Sequence, residues 1–169
     1  IVAANLHRLI LPRQSQVWCV LHATDSLQRM RYGLAATMLG RMALSGDFHA
    51  LSDEQVGEVK RAQAFYAAAA PVIRDGRSRL VRDMGLNWNE PRGWQAVIRH
   101  TATEALVVAH AFAGPRPEVM DLPLPAGAWR LDATYGDEDV ARCAESLRIR
   151  MSSDFTGAAT YSLPFWLPE

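Results

Sequence analysis

Lysine is almost missing from this chain: Lys60 stands alone, and every other basic residue is arginine. That bias reads as base composition of the gene rather than as function. An excess of either charge is missing too, since eighteen basic residues balance eighteen acidic ones. With no basic stripe interleaved with aromatics, the electrostatic footprint of a nucleic-acid binder is absent, and no nucleic-acid partner is expected. There are two cysteines, Cys19 and Cys143, in neither a metal-ligand spacing nor a disulfide framework. They read as buried thiols behaving as small hydrophobes. No apolar run approaches the roughly 20 residues of a membrane helix, and no charged, apolar, small-residue signal opens the chain. No membrane partner is therefore expected, and a cytoplasmic location is the default. The chain opens at Ile1 without a methionine. It reads as a segment of a longer protein whose first partner is the upstream part of the same polypeptide, so missing signals say nothing of the parent's address.

What is present is a globular composition, 49% hydrophobic and 21% charged over 169 residues, enough for a sizeable core. Residues 1–15 show no clear period, and Pro12 argues against a regular element there. The run from Ser15 to Leu21, SQVWCVL, is nearly continuous apolar, as in a strand buried on both faces of a parallel sheet. His22 stands at its carboxyl end. Asp25 with Gln28 is placed as a capping box for a helix carrying Leu27, Met30, Leu34 and Met38, with Gly40 as the left-handed residue that ends it. A strand over Arg41–Leu44 and a turn at Ser45–Asp47 follow. Ser52 then caps a second helix, with Gln55 closing the box, Leu51 and Val56 placed as a staple, and Asp53 and Glu54 at the positive end of the dipole. Pro71 should kink or divide that helix, and Gly76 closes it.

After Gly76 the period changes from 3.6 to 2. Strands are predicted over Arg79–Met84, Trp94–Thr101, Glu104–Ala113, Ala128–Tyr135, Ser146–Met151 and Ala158–Phe165, with a hairpin turn at His100–Thr103 and a proline-marked loop at Pro115, Pro117, Pro123 and Pro125. The fold class is thus α/β plus all-β. Residues 1–76 are two strand–helix units of a parallel fold, and residues 77–169 a small antiparallel β-sandwich. Two such units cannot close a barrel or cover both faces of a sheet, so their remaining neighbours are expected upstream of Ile1.

Two phrases, LPRQSQVWCVLHATDSLQRMRYGLAATMLGRMALSGDFHALSDEQ and GLNWNEPRGWQAVIRH, together with the later PLPAGAW, resemble the carboxyl-terminal part of glycoside hydrolase family 36, the melibiase-type α-galactosidases. The first resembles the last two βα units of a TIM-type (β/α)8 barrel, the second the opening of an antiparallel carboxyl-terminal domain. The resemblance implies a retaining hydrolase of α-linked galactosides that uses two aspartates about 5 to 5.5 Å apart. Both lie on earlier barrel strands in that family and match no position here. No catalytic residue is carried over, and the segment alone is expected to hydrolyse nothing. A transferase acting on raffinose-type sugars, or another α-linked sugar, stays open within the resemblance.

Asp47, after the last such strand, is the leading candidate for substrate contact, its carboxylate accepting hydrogen bonds from sugar hydroxyls. The alternatives are that it orders its own loop or pairs with an arginine. Ser45 and His22 share that end, Gly46 supplies a permissive backbone, and Arg13, Gln14 and Gln16 lie at the opposite end, suited to structural bonds. His100 and His110 have no metal-ligand spacing, and neither metal nor cofactor is expected. Trp88, Trp94, Trp129 and Trp166 are either core aromatics or sugar platforms. The second reading of the chain is accordingly a non-catalytic carbohydrate-binding or interdomain module, with a homo-oligomer contact where apolar strand surface is left uncovered.

Overall fold

Two apolar runs become two parallel strands, β1 (Gln16–Leu21) and β2 (Arg41–Gly46), paired in register from Gln16 opposite Arg41 to Leu21 opposite Gly46. In this computed structural model the described residues are 2–84, 89–90, 92–113, 118–124, 126, 129–136, 139–143, 146–150 and 160–163. Between the strands runs α2 (Leu27–Thr37), whose Met30, Leu34 and Ala35 are buried against Cys19 and Leu21 of β1. The other face of β1 stays open: Trp18 is 61% and Val20 47% exposed. An apolar-on-both-faces strand thus has one face covered.

Three local expectations are corrected. Ser26, not Asp25, caps α2, its hydroxyl accepting from the Arg29 amide at 3.2 Å, because Asp25 is turned to the amide of His22 at 2.9 Å. Gly40 is not left-handed: the positive-φ glycines among the described residues are Gly46, Gly93 and Gly136. Gly40 is required by crowding, since a Cβ there would lie 2.7 Å from the Ser15 carbonyl oxygen. Residues before β1 are also more ordered than expected. They form a short helix α1 (Val2–Leu6) and a 3-10 turn over Pro12–Gln14, with proline at the turn's start, where its missing N–H costs nothing. His7 pins this segment to the Ser78 hydroxyl at 2.8 Å and the Leu39 carbonyl at 2.5 Å.

The long helix α3 (Asp53–Asp75) starts on the Ser52–Gln55 capping box as its sequence dictates. It is not divided at Pro71. Phe65, Ala69, Val72 and Ile73 are buried on either side of the proline, and the helix end is held by Arg99, whose Nε donates to the Val72 and Ile73 carbonyls, each at 2.9 Å. Those are carbonyls a helix terminus otherwise leaves unpaired.

Beyond α3 the strands are antiparallel. β3 (Arg77–Met84), β4 (Gly93–His100), β5 (Ala105–Ala111) and β9 (Thr160–Leu163) form one sheet in that order; β6 (Val119–Pro123), β8 (Ser146–Arg150) and β7 (Asp139–Cys143) form another, ordered β6-β8-β7. The expected hairpin is present, with the Thr101 amide bonded to the Glu104 carbonyl at 2.8 Å. The expected strand ending at Tyr135 is instead irregular from Trp129 to Thr134. Trp129 and Tyr135 are buried, so their apolar pattern records side-chain packing rather than a ladder. β6 and β7 were not expected. β6 lies in the proline-marked stretch, and Pro123 is tolerated as its last residue.

Two cores result. One joins α2 and α3 to β1 and to Val97, Leu106, Val108 and Tyr135; the second holds Ala96, Ile98 and Val107 against Met120, Leu122 and Trp129. Alternate residues of β4 and β5 therefore serve opposite faces of one sheet. The helical and β parts share the first core. Glu58 of α3 reinforces the joint by accepting from Arg31 of α2 at 3.0 Å, from Arg61 at 2.7 Å and from the Tyr135 hydroxyl at 2.6 Å. Burial pushes the Glu58 carboxyl up, but the bonds from Tyr135, Arg61 and Arg31 outweigh it and hold it below the usual carboxylate value. Burial and that same bond push Tyr135 above its ordinary value.

Candidate functional site

The carboxyl ends of β1 and β2 lie side by side because the parallel register sets Leu21 against Gly46. Gly46 has φ +119°, and a Cβ there would stand 2.0 Å from the Leu21 carbonyl oxygen, so only glycine permits this approach. The Asp47 amide then donates to that oxygen at 2.8 Å, carrying the ladder one residue past the strand. This delivers Asp47 to His22, with Nδ1 and Oδ2 3.2 Å apart and both side chains about half exposed, 55% and 51%. A carboxylate only accepts, so the pair sets Nδ1–H as the donor and leaves Nε2 as an acceptor in the neutral ring. Two of the three candidate residues are thus brought together, and the partner of Asp47 is a histidine rather than the arginine considered above.

Ser45 is not part of the pair. It sits half-buried opposite Val20, on the face of the sheet that also carries Trp18. Arg13 and Gln14 fall in the turn before β1 and Gln16 at its amino end, away from the His22–Asp47 pair.

One residue contributes more than its sequence pattern discloses. Gln55 caps α3 through its Oε1, and its Nε2 also donates to the Ala23 carbonyl at 3.2 Å and the Asp25 carbonyl at 2.9 Å. It thereby fastens the His22–Asp25 loop to the start of α3 and positions His22. A capping box is readable from spacing; a second bond across about 30 residues leaves no local signal.

An open groove of about 450 Å³ lies between β2 and α3, lined by Met42, Leu44, Phe48, Gln63 and Tyr66. The Tyr66 hydroxyl donates to the Gly40 carbonyl and accepts from the Met42 amide, both at 3.2 Å, fixing α3 against β2. The groove is apolar in the main, with Phe48 45% exposed.

The remaining candidates lie elsewhere. His100 sits at the hairpin, bonded to the Thr101 carbonyl at 3.1 Å, and His110 near the far end of β5. Among the described residues no group of three or more His, Cys, Asp or Glu is placed to hold a metal ion. Trp129 is a core residue and the partly buried Trp94 packs against the same core, whereas Trp88 and Trp166 lie outside the described residues. Cys19 is buried, and burial raises its thiol; the side chain of Cys143 is likewise outside. No helix of the described residues is long and apolar enough to cross a membrane.

Mixed helix and strand with an antiparallel sheet and a parallel strand pair is a fold shared with solved glycoside hydrolase family 36 α-galactosidases. One similar structure is that of an AgaA variant from Geobacillus stearothermophilus in complex with 1-deoxygalactonojirimycin. It matches over 90% of this chain and 21% of that one, at 14% identity and a TM-score of 0.54. A second, a further AgaA variant from the same organism in complex with raffinose, matches over 80% of this chain and 21% of that one at 15% identity and a TM-score of 0.47. The likeness is one of fold, and the chain spans about a fifth of the length of the structures it matches. No protein-family model and no curated protein sequence matches it.

Proposed function

We propose that this chain is the carboxyl-terminal portion of a retaining α-galactosidase-like glycoside hydrolase, with residues 1–76 closing a (β/α)8 barrel and residues 77–169 forming a β-sandwich that braces it. The observation that carries the reading is the fold likeness over nine-tenths of the chain to an α-galactosidase structure. The open face of β1 supports it: Trp18 and Val20 lie exposed beside Ala43 and Ser45 in register, the surface that further parallel strands would cover in a barrel interior.

In this reading the His22–Asp47 pair meets the sugar at the carboxyl ends of the strands, where barrel enzymes bind their ligands. Asp47 Oδ1 and His22 Nε2 then accept hydrogen bonds from two sugar hydroxyls, with Ser45 nearby. The catalytic carboxylates come from the upstream part of the polypeptide, so the role of Asp47 is binding and orientation. Asp47→Asn keeps the shape while removing charge-assisted acceptance, worth about 1.5–3 kcal/mol. In the intact polypeptide, α-galactoside hydrolysis by Asp47→Asn is expected with KM raised roughly tenfold or more and an unchanged fold by circular dichroism. An unchanged KM removes Asp47 from the site.

A further inference from the structure

Gln95 of β4 and His110 of β5 stand directly opposite one another in the antiparallel register. They share the sheet face that carries Val97 and Val108 into the first core, beneath the helices. Both are buried, at 1% and 4% exposure. On the helix side Tyr32 of α2 presents its ring to His110 edge-on, with centroids 5.5 Å apart and planes at 80°. The Arg29 guanidinium lies over the Tyr32 ring, 5.9 Å from its centroid. Within this enclosure Gln95 Oε1 and His110 Nε2 have no hydrogen-bond partner.

Two adjoining buried polar atoms without partners are rare in folded proteins, and their cost is met either by direct pairing or by an enclosed molecule. The chemistry of the two atoms selects that molecule. An amide oxygen only accepts, so the occupant must donate to it; an anion cannot. A cation finds no carboxylate or thiolate cluster among the described residues. A neutral imidazole nitrogen accepts or donates according to its tautomer. A water molecule can give one proton to Oε1 and meet Nε2 in either sense.

We infer that Gln95 and His110 form a buried water site at the seam between α2 and the β4–β5 hairpin, in which one water bridges Gln95 Oε1 and His110 Nε2. The site is separate from the His22–Asp47 pair and independent of any sugar chemistry. It gives the seam a polar register point, since a shift of α2 or a slip of the hairpin would separate the bridged atoms from their enclosure.

A high-resolution crystal structure of the intact chain, with water-to-imidazole magnetisation transfer measured by NMR in solution, tests it. The expected result is one density peak roughly 2.7–3.2 Å from both atoms and transfer from a long-lived water to the His110 ring. Transfer should be lost in Gln95→Leu while the Tyr32–His110 ring contact persists. If Gln95→Leu does not fold, the wild-type density and transfer decide alone. A Gln95 amide reversed so that its nitrogen donates directly to His110, or density and transfer both missing, overturns the site.

Discussion

His110 shows how one buried residue couples this fold to pH. Burial lowers its pKa to about 3 from an ordinary value of 6.5. The folded protein therefore binds fewer protons than the unfolded chain between those values, and stability rises with pH across that window. This contribution is complete above about pH 6.5 and falls away as pH drops toward 3. Thermal melts from pH 7 to pH 4 should show a falling Tm, and His110→Phe should flatten the part of the slope that lies above the carboxylate range. A wild-type Tm that does not change between pH 7 and 5 contradicts a neutral, enclosed His110. Asp47 and His22 at the candidate site make a different kind of pair, half exposed and open to solvent.

At the scale of elements, much was readable before any coordinates. The Ser52–Gln55 box, the starts of β1 and β2, the β4–β5 hairpin and the change of period after Gly76 each have a local cause; the box and the start of β2 fall at the expected residues, and β1 and the hairpin turn within one residue of them. The departures share another cause. Trp129 and Tyr135 look like strand residues because they are buried, but they belong to irregular chain laid on two cores. The α1 segment is held by His7 bonding to Leu39 and Ser78, partners 32 and 71 residues away. α3 runs undivided through Pro71, with its end secured by Arg99 from another element, a long-range bond with no local signal. The candidate site follows the same rule: Asp47, His22 and Gly46 were readable as strand-end residues, whereas the grip of Gln55 on the His22 loop was not. Ser52→Ala tests the local part. It removes the bond to the Gln55 amide and should lower stability by about 1 kcal/mol, read from urea denaturation. No change would mean that tertiary packing alone sets where α3 begins.

For the whole molecule the telling feature is asymmetry of coverage. The helical and β parts are locked by Glu58 to Tyr135 and by Arg99 to the end of α3, yet Trp18 and Val20 face outward from β1. Burying a tryptophan and a valine is worth about 25 cal/mol per Å² of apolar surface, so some other surface should cover them. Upstream barrel strands would do so in the proposed enzyme, and a second copy would do so for the 169 residues taken alone. Sedimentation of the 169-residue chain should show self-association that Trp18→Ser weakens, and a strictly monomeric wild type argues against an uncovered interior face. The mixed fold itself, parallel strands followed by antiparallel sheets, is shared with an α-galactosidase structure at a TM-score of 0.54. The proposed activity draws on that fold likeness and on the polar pair at the strand ends.

Hydrolysis of an aryl α-galactoside by the intact polypeptide, followed by proton NMR of the anomeric centre, decides whether this pair and this fold serve a retaining α-galactosidase, as proposed. α-Galactose is expected to be released first, with Asp47→Asn raising KM and leaving that stereochemistry unchanged; no hydrolysis, or release of β-galactose, rules the proposal out.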